Sequence, residues 1–222
     1  APFRDLVLEI TVADQTRWWT LSGNPNADGS MRGVMRDVTE TRETEQRVAR
    51  MARYDTLSGL ANRHLFNETL EETLGAQVKN QRVALLYIDL DHFKSVNDTL
   101  GHHVGDELVR AAGGRIGAIV REHDLAARLG GDEFAVLLTR VRDLDTVHAC
   151  AQRIVDTLAE PFNLHGQMVR VSASVGVAYG STRGIDGDEF MRQADIALYA
   201  AKRAGRSTFA DYDASLNQME RT

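Results

Sequence analysis

Asp124-Leu-Ala-Ala-Arg-Leu-Gly-Gly-Asp-Glu-Phe-Ala-Val-Leu-Leu-Thr-Arg140 reads as strand, tight turn and strand. Leu125 to Leu129 is one short apolar run, Phe134 to Leu138 is another, and Gly130-Gly131 lies between them. A Gly-Gly dipeptide suits the positive φ values of a two-residue hairpin turn. Asp132 and Glu133 follow at once. A hairpin tip that shows two carboxylates after two residues without side chains leaves room for a phosphate and its metal. An isolated Gly-Gly-Asp is most often a solvated turn, so the meaning of this one rests on its surroundings.

Upstream, Val83 to Leu90 is an almost unbroken apolar run that ends at Asp89 and Asp91. A short continuous run of this kind predicts a buried central strand. Adjacent central strands would bring Asp89 and Asp132 together. Two clustered carboxylates repel unless a cation lies between them, and oxygen ligands alone select a hard ion such as Mg²⁺. Strand alternation sends Asp132 and Glu133 to opposite faces, which ranks Asp132 above Glu133 as a ligand. The Leu90 carbonyl at the strand end is a further ligand.

The other elements follow from periodicity. Asn62 caps a helix striped by Leu65, Phe66, Leu70 and Leu74. Residues 92–98 form a helical turn, 99–105 a loop, and 104–120 a helix. Gly113, Gly114 and Gly117 lie inside that helix with no reason visible in the sequence beyond close packing. A helix over 144–160 stops at Pro161, Val169 to Tyr179 alternates as a strand, and a last striped helix ends near Gly205. The order from residue 62 is α-β-α-β-β-α-β-α with a short final strand. This is an α+β sandwich around a central mixed or antiparallel sheet.

Several polar residues stand at the ends of these elements. Lys202 and Arg206 are four apart on one helical face, so both can grip one polyphosphate, although basic residues here also compensate the helix dipole. Asn97 offers an amide and Asp106 a carboxylate, a pairing suited to a guanine edge. Cys150 is the single cysteine, which excludes an internal disulfide and fits a reducing compartment, hence the cytoplasm. The net charge of −6 argues against a duplex nucleic-acid binder. No apolar run reaches transmembrane length, so no membrane contact is expected within these residues. The chain opens directly on a strand pattern at Ala1, as expected for a piece of a longer protein whose parent could carry a membrane anchor.

Residues 1–39 alternate as three strands, and 40–54 form a charged linker helix with Val48 and Met51 as a short apolar seam. Arg17-Trp18-Trp19-Thr20-Leu21-Ser22-Gly23 followed by Gly33-Val34-Met35-Arg36-Asp37-Val38-Thr39 resembles the C-terminal part of a PAS sensor domain, a partial β-sheet lacking the usual ligand pocket.

Gly130-Gly131-Asp132-Glu133-Phe134 resembles the signature of the GGDEF diguanylate cyclases. It comes with Asp55-Thr56-Leu57-Ser58-Gly59-Leu60-Ala61-Asn62-Arg63, Asp89-Leu90-Asp91-His92-Phe93-Lys94, Asn97-Asp98, Gly101-His102, Gly105-Asp106 and Lys202-Arg203-Ala204-Gly205-Arg206, all in the family's order. The resemblance implies a nucleotidyl-cyclase, palm-like fold over 55–211, after the PAS-like part at 1–39 and the linker at 40–54. It implies condensation of two GTP into cyclic di-GMP by a homodimer with one GTP per subunit. Asp89, the Leu90 carbonyl and Asp132 would hold Mg²⁺, with Mn²⁺ as a substitute. Asp132, Glu133 and Lys94 would serve catalysis, with either Asp132 or a metal-bound hydroxide taking the 3′ proton. Asn97 and Asp106 would read guanine, His102 would lie beside the nucleotide, and Phe93, Gly130, Gly131, Lys202 and Arg206 would meet the phosphates. Arg121-Glu122-His123-Asp124 is similar to the family's RxxD motif, which implies product inhibition at Arg121 and Asp124. Ser207 and Leu100 depart from the family's usual Asn and aromatic without touching that chemistry. The tail at 212–222 resembles a connector into an EAL phosphodiesterase domain, which keeps open the alternative of a catalytically silent GTP-binding regulatory module.

Overall fold

A computed structural model describes residues 2–76, 81–182 and 185–216. Residues 217–222, within the stretch expected to be a connector, lie outside the described residues. The chain forms two compact units, Ala1–Ala52 and Arg53–Thr222. In the first, β1 (Phe3–Val12), β2 (Gln15–Pro25) and β3 (Met31–Asp37) make an antiparallel meander in the order β1-β2-β3. The helix α1 (Thr39–Arg53) follows, and the Arg42 guanidinium stacks 4.8 Å from the Trp18 ring. No residue of α1 is buried, and Val48 and Met51 are both exposed.

The second unit is built on β4 (Arg82–Asp91), whose interior residues are almost all buried. A strand apolar on both faces must be covered on both sides. Its sheet runs β10-β9-β4-β6-β5, with β5 (Leu125–Gly130), β6 (Glu133–Leu138), β9 (Ser172–Ser181) and β10 (Phe209–Asp211). All neighbours are antiparallel except β9 and β10, so the sheet is mixed. One face packs against α3 (Phe93–Leu100), α4 (His102–Ile119) and α5 (Leu144–Ala159), through Val96, Leu108, Ile116 and Ile154. The other packs against α2 (Arg63–Gly75) and α6 (Gly187–Arg203), through Phe66, Leu70, Phe190 and Leu198.

Three helices, α2, α5 and α6, start at side-chain caps, while α3 and α4 have none. The Leu65 N–H donates to Asn62 Oδ1 at 2.9 Å, Thr146 N–H to Asp143 Oδ1 at 2.8 Å, and Glu189 N–H to Asp186 Oδ1 at 2.7 Å. The adjacent helices α4 and α5 cap each other's C-termini. Arg115 of α4 donates to the carbonyls of Thr157, Glu160 and Pro161 at 2.7–2.8 Å, with its guanidinium 3.6 Å from the Phe162 ring centre. Arg153 of α5 returns a 2.7 Å bond to the Ile119 carbonyl. Cations at the last carbonyls satisfy orphan acceptors and offset the helix dipole.

Three expectations need correction. The loop expected over 99–105 is a single residue, Gly101, whose φ of 87° lets α3 turn directly into α4. The turn between β5 and β6 is Gly131-Asp132 rather than Gly130-Gly131, because β5 extends to Gly130 through an irregularity after Arg128. A small hairpin, β7 (Phe162–Leu164) and β8 (Gln167–Val169), fills a stretch where no element was expected before Val169, and Val169 ends β8 while the long strand β9 begins at Ser172. One of the helical glycines now has a cause: a Cβ at Gly113 would lie 2.8 Å from Ser58 Cβ, so α4 rides close on the 55–60 turn, whereas one at Gly117 would make an ordinary 3.4 Å contact with Leu60 Cδ2. Gly114 meets nothing within 4 Å.

Glycine substitutions test this packing. A Cβ at Gly176 of β9 would overlap the Ala194 carbonyl oxygen and the Leu198 amide nitrogen of α6. Gly176→Ala is expected to destabilise by about 1–3 kcal/mol, as overpacking does. Gly114→Ala, in open space on a helix, is expected to stabilise by about 0.5–1 kcal/mol. Urea unfolding of both variants against the parent chain checks the pair of signs.

Candidate active site

Side chains alternate along β4. Leu86, Ile88 and Leu90 enter the core under α3, α4 and α5, while Val83, Leu85 and Tyr87 face α2 and α6. Asp89 continues the second row, and its partner across the ladder is Glu133. Directly opposed residues share a face, so Glu133 stands beside Asp89. The expectation that adjacent strands would bring Asp89 and Asp132 together is therefore corrected in register: Glu133 is the strand residue opposite Asp89, and Asp132 sits in the turn. Asp132 still joins the group, since the Leu90 N–H donates to its carbonyl at 3.2 Å.

The electrostatics of the group have named causes. Burial pushes the Asp89 carboxyl above the usual carboxylate range, Lys202 pulls it down, and the charges of Asp132 and Asp91 push it up again. Lys202 Nζ lies 2.7 Å from Asp89 Oδ2. Glu133 faces Arg63 at 3.7 Å. Burial raises the Tyr87 hydroxyl to about 12, with the negative charges of Glu133 and Asp195 adding to the effect. No hydrogen bond or ion pair occupies the Asp132 carboxylate among the described residues.

Asp91 is the residue whose part the sequence reading missed. It is 1% exposed and accepts from Ser172 Oγ at 2.7 Å, Ser174 Oγ at 2.8 Å and Ser207 N–H at 3.1 Å. Arg206 Nε lies 3.8 Å from it. Arg206 and Ser207 both hold positive φ, 65° and 50°, a conformation that costs energy in residues other than glycine. Asp91 thus pins the strained turn that carries Arg206. A buried charge with this many donors is paired rather than free. Its place beside Asp89 in an alternating strand was the available signal.

The expected guanine-reading residues gather where α3 meets α4. A Cβ at Gly105 would overlap Asn97 Oδ1, so only glycine admits the Asn97 side chain there. Asp106 is the next residue and is exposed, as is His102 at the start of α4. Phe93 is half-buried against the core and Lys94 exposed, at the start of α3 behind His92, whose φ is 61°. No hydrogen bond or ion pair joins Lys94, His102 or Asp106 to Asp89 or Asp132 among the described residues.

Arg121 and Asp124 line a separate cavity of about 680 Å³, together with Arg140, Arg142, Cys150 and Arg153. The Asp124 side chain is only 4% exposed. Its Oδ1 accepts the Thr139 N–H at 2.8 Å, closing the far end of the β5–β6 hairpin. No ion pair joins Arg121 to Asp124 among the described residues. Burial pushes the Cys150 thiol up, so it is a poor nucleophile.

No cluster of three or more His, Cys, Asp or Glu stands ready for a metal among the described residues. The donor set nonetheless fits a hard cation, because Asp89 already draws the Lys202 ammonium to itself and the charges of Asp132 and Asp91 act on it, these acids all being oxygen donors.

The family model described as "Diguanylate cyclase, GGDEF domain" matches residues 52–208. The chain is 39% identical over 158 residues to the cyclic di-GMP phosphodiesterase NbdA of Pseudomonas aeruginosa, covering 71% of this chain and 20% of that protein. It is 39% identical over 191 residues to the probable diguanylate cyclase DgcE of Escherichia coli, covering 84% of this chain and 17% of that protein. It therefore spans about a fifth of the length of these relatives. The structure of the coiled coil and GGDEF domain of DgcB from Caulobacter crescentus, in complex with c-di-GMP, matches with a TM-score of 0.72 at 32% identity, over 78% of this chain and 93% of that one. The mixed five-stranded sheet, the acids gathered at the β5–β6 turn and a match across most of its length agree, and the chain belongs to the diguanylate cyclase GGDEF domain family.

Proposed function

We propose that this chain is a diguanylate cyclase that condenses two GTP into cyclic di-GMP and two pyrophosphates. The observation that carries the reading is the β4–β6 register, which sets Asp89 and Glu133 side by side next to the Gly130-Gly131-Asp132 turn. Each subunit holds one GTP, and the 3′-hydroxyl oxygen of one bonds to the α-phosphorus of the other. The bond from that phosphorus to the bridging oxygen breaks, and pyrophosphate leaves. Asp89, the Leu90 carbonyl and Asp132 are the ligands for Mg²⁺. Bound there, the ion would neutralise phosphate charge in the transition state. Asp132 and Glu133 bring negative charge to the tip, and Asp132, whose carboxylate has no hydrogen bond or ion pair among the described residues, accepts the 3′ proton. Lys94 offsets charge developing on the phosphoryl oxygens. Asn97 and Asp106 read guanine, and His102 lies beside the nucleotide. Phe93, Gly130 and Gly131 shape the phosphate site, and Lys202 and Arg206 exchange their carboxylate partners for the terminal phosphates.

The two half-sites require a homodimer of twofold symmetry, and the exposed Val48 and Met51 of α1 supply its seam. Residues 1–39 are the sheet of a PAS-like input part, and the cytoplasm is the site of action. No helix among the described residues is long and apolar enough to cross a membrane. Because some relatives are named phosphodiesterases, the second reading is a GTP-binding regulatory module without turnover. GTP and Mg²⁺ incubated with the dimeric chain, followed by chromatography, separate the two: cyclic di-GMP supports the first, and GTP binding without product supports the second.

The electrostatics generate a paired outcome for Asp89→Asn. The folded carboxyl lies above its unfolded value, so its charge opposes folding above the unfolded value, and that opposition is relieved as pH falls. Asp89→Asn is expected to abolish turnover yet raise the melting temperature of the metal-free chain at pH 7, and calorimetry beside the GTP assay checks both. Asp132→Asn is expected to abolish turnover with the fold intact by circular dichroism.

Control by product is proposed at Arg121 and Asp124. A ligand in that cavity biases the arrangement of subunits rather than blocking GTP. Arg121→Ala is expected to relieve cyclic di-GMP inhibition with the GTP KM almost unchanged. It is also expected to weaken product binding by about 1.5–3 kcal/mol, the worth of a charge-assisted contact. Inhibition curves and titration calorimetry measure the two effects.

A further inference from the structure

The acids of the active-site turn sit on a hairpin tip whose own ladder is broken. The register slips between Arg128 and Gly130, so Leu129 is the extra residue of a bulge. Gly130 and Gly131 hold φ values of 147° and 52°, and neither has a side chain with which to lock the turn. Guanidinium groups meet the tip carbonyls instead. Arg63 Nε donates to the Leu129 carbonyl at 2.9 Å. Arg128 Nε and Nη2 donate to the Gly131 carbonyl at 3.1 and 2.8 Å.

Arg128 also reaches the other way. Its Nη1 lies 3.2 Å from each carboxylate oxygen of Asp55. The two side chains are 14% and 22% exposed, so this pair is shielded from the solvent that weakens surface ion pairs. Asp55 is itself fixed. It accepts from Ser58 N–H at 2.8 Å and Ser58 Oγ at 2.7 Å, and its own N–H donates to the Leu60 carbonyl at 2.8 Å. The turn that follows Arg53 is closed by a bond from Asn62 N–H to the Arg53 carbonyl at 2.9 Å. It is laid along the outer edge of β5 by Arg128 N–H to the Ala61 carbonyl, 2.9 Å, and Ala61 N–H to the Ala126 carbonyl, 3.2 Å. Ser58 rests on Gly113 of α4.

We propose that Arg128 is a positioning residue, a fork that ties the Gly131 carbonyl of the active-site turn to Asp55 in the turn where the chain enters the second unit. The inference rests on the hairpin tip being the reactive site. Only a guanidinium fits the task, because its planar fork offers donors along two edges at once. A lysine ammonium at the same place serves one acceptor and releases the other. With the fork in place, Asp132 and Glu133 leave the bulge in one direction. Without it, the two glycines let the tip sample several.

The test compares the full chain with Arg128→Lys and Asp55→Asn, by amide hydrogen exchange and by GTP turnover. Exchange at Gly130 and Glu133, the ladder pair that closes the turn, is expected to rise about ten-fold in Arg128→Lys, with exchange across β4 unchanged, as for a local opening. The kcat is expected to fall about ten-fold with the GTP KM within about two-fold, because misplaced groups cost rate rather than ground-state binding. Asp55→Asn keeps an acceptor for Ser58, and is expected to shift exchange at the same two amides by a smaller factor. Unchanged exchange at the tip in both variants overturns the proposal. So does a rise that covers β4 equally, which is loss of fold, or a KM that rises while kcat holds, which places Arg128 on substrate. If the parent chain makes no cyclic di-GMP, a rise confined to the tip still upholds the fork, and only the cyclase reading fails.

Discussion

The pairing of β4 with β6 forces acids from two strands together at one end of an otherwise apolar sheet. Asp89 and Glu133 oppose each other, Asp132 lies in the adjoining turn, and Asp91 is buried two residues beyond Asp89. Taking like charges out of water raises the free energy of the fold unless each finds a partner. The structure meets this with residues from remote elements. Lys202 reaches Asp89, Arg63 reaches Glu133, and two serines with a backbone amide enclose Asp91. Among the described residues Asp132 alone is left without such a partner, so its carboxylate is open while Asp89 shares its charge with Lys202.

The rest of the second unit is arranged to hold this end steady. The cross-capping of α4 and α5 by Arg115 and Arg153 fixes the two helices against one another. The N-terminal turn of α4 carries Gly105, whose bare Cα admits Asn97 from α3. Two helices joined by one glycine then present Asn97, His102 and Asp106 as one surface. On the opposite side of the sheet, α6 lies so close to β9 that Gly176 has no room for a side chain. That closeness brings the end of α6, with Lys202 and the strained Arg206 turn, to the acids of β4. The Arg121 and Asp124 cavity stands apart, at the other end of the same hairpin. The hairpin is thus a shared element, with the gathered acids at one end and that cavity at the other.

Much of this was legible in residue order. The apolar run at 83–90, the helix stripes and the Asn62 cap are local signals, because each depends on neighbours within a few residues. They yielded the α+β sandwich and the helices that cover it. The motif at 130–134 and its companions marked the family and the candidate residues of the site. The hairpin β7–β8 escaped because strands of three residues carry no period to detect. The loop expected over 99–105 failed for another reason: one glycine with positive φ replaces seven residues of loop, and a glycine in sequence does not announce its φ.

Sequence alone therefore singled out the candidates for acid, base and phosphate-binding chemistry, and determined the central strand on which the first acids stand. These are properties of composition and of short-range periodicity. Tertiary structure decided their arrangement: Glu133 rather than Asp132 across from Asp89, Asp91 as the anchor of the Arg206 turn, and Arg128 joined to Asp55. Those contacts span 116 residues between Asp91 and Ser207 and 73 between Asp55 and Arg128. No local pattern encodes them, because strand register and the approach of one element to another are set by packing of the whole core.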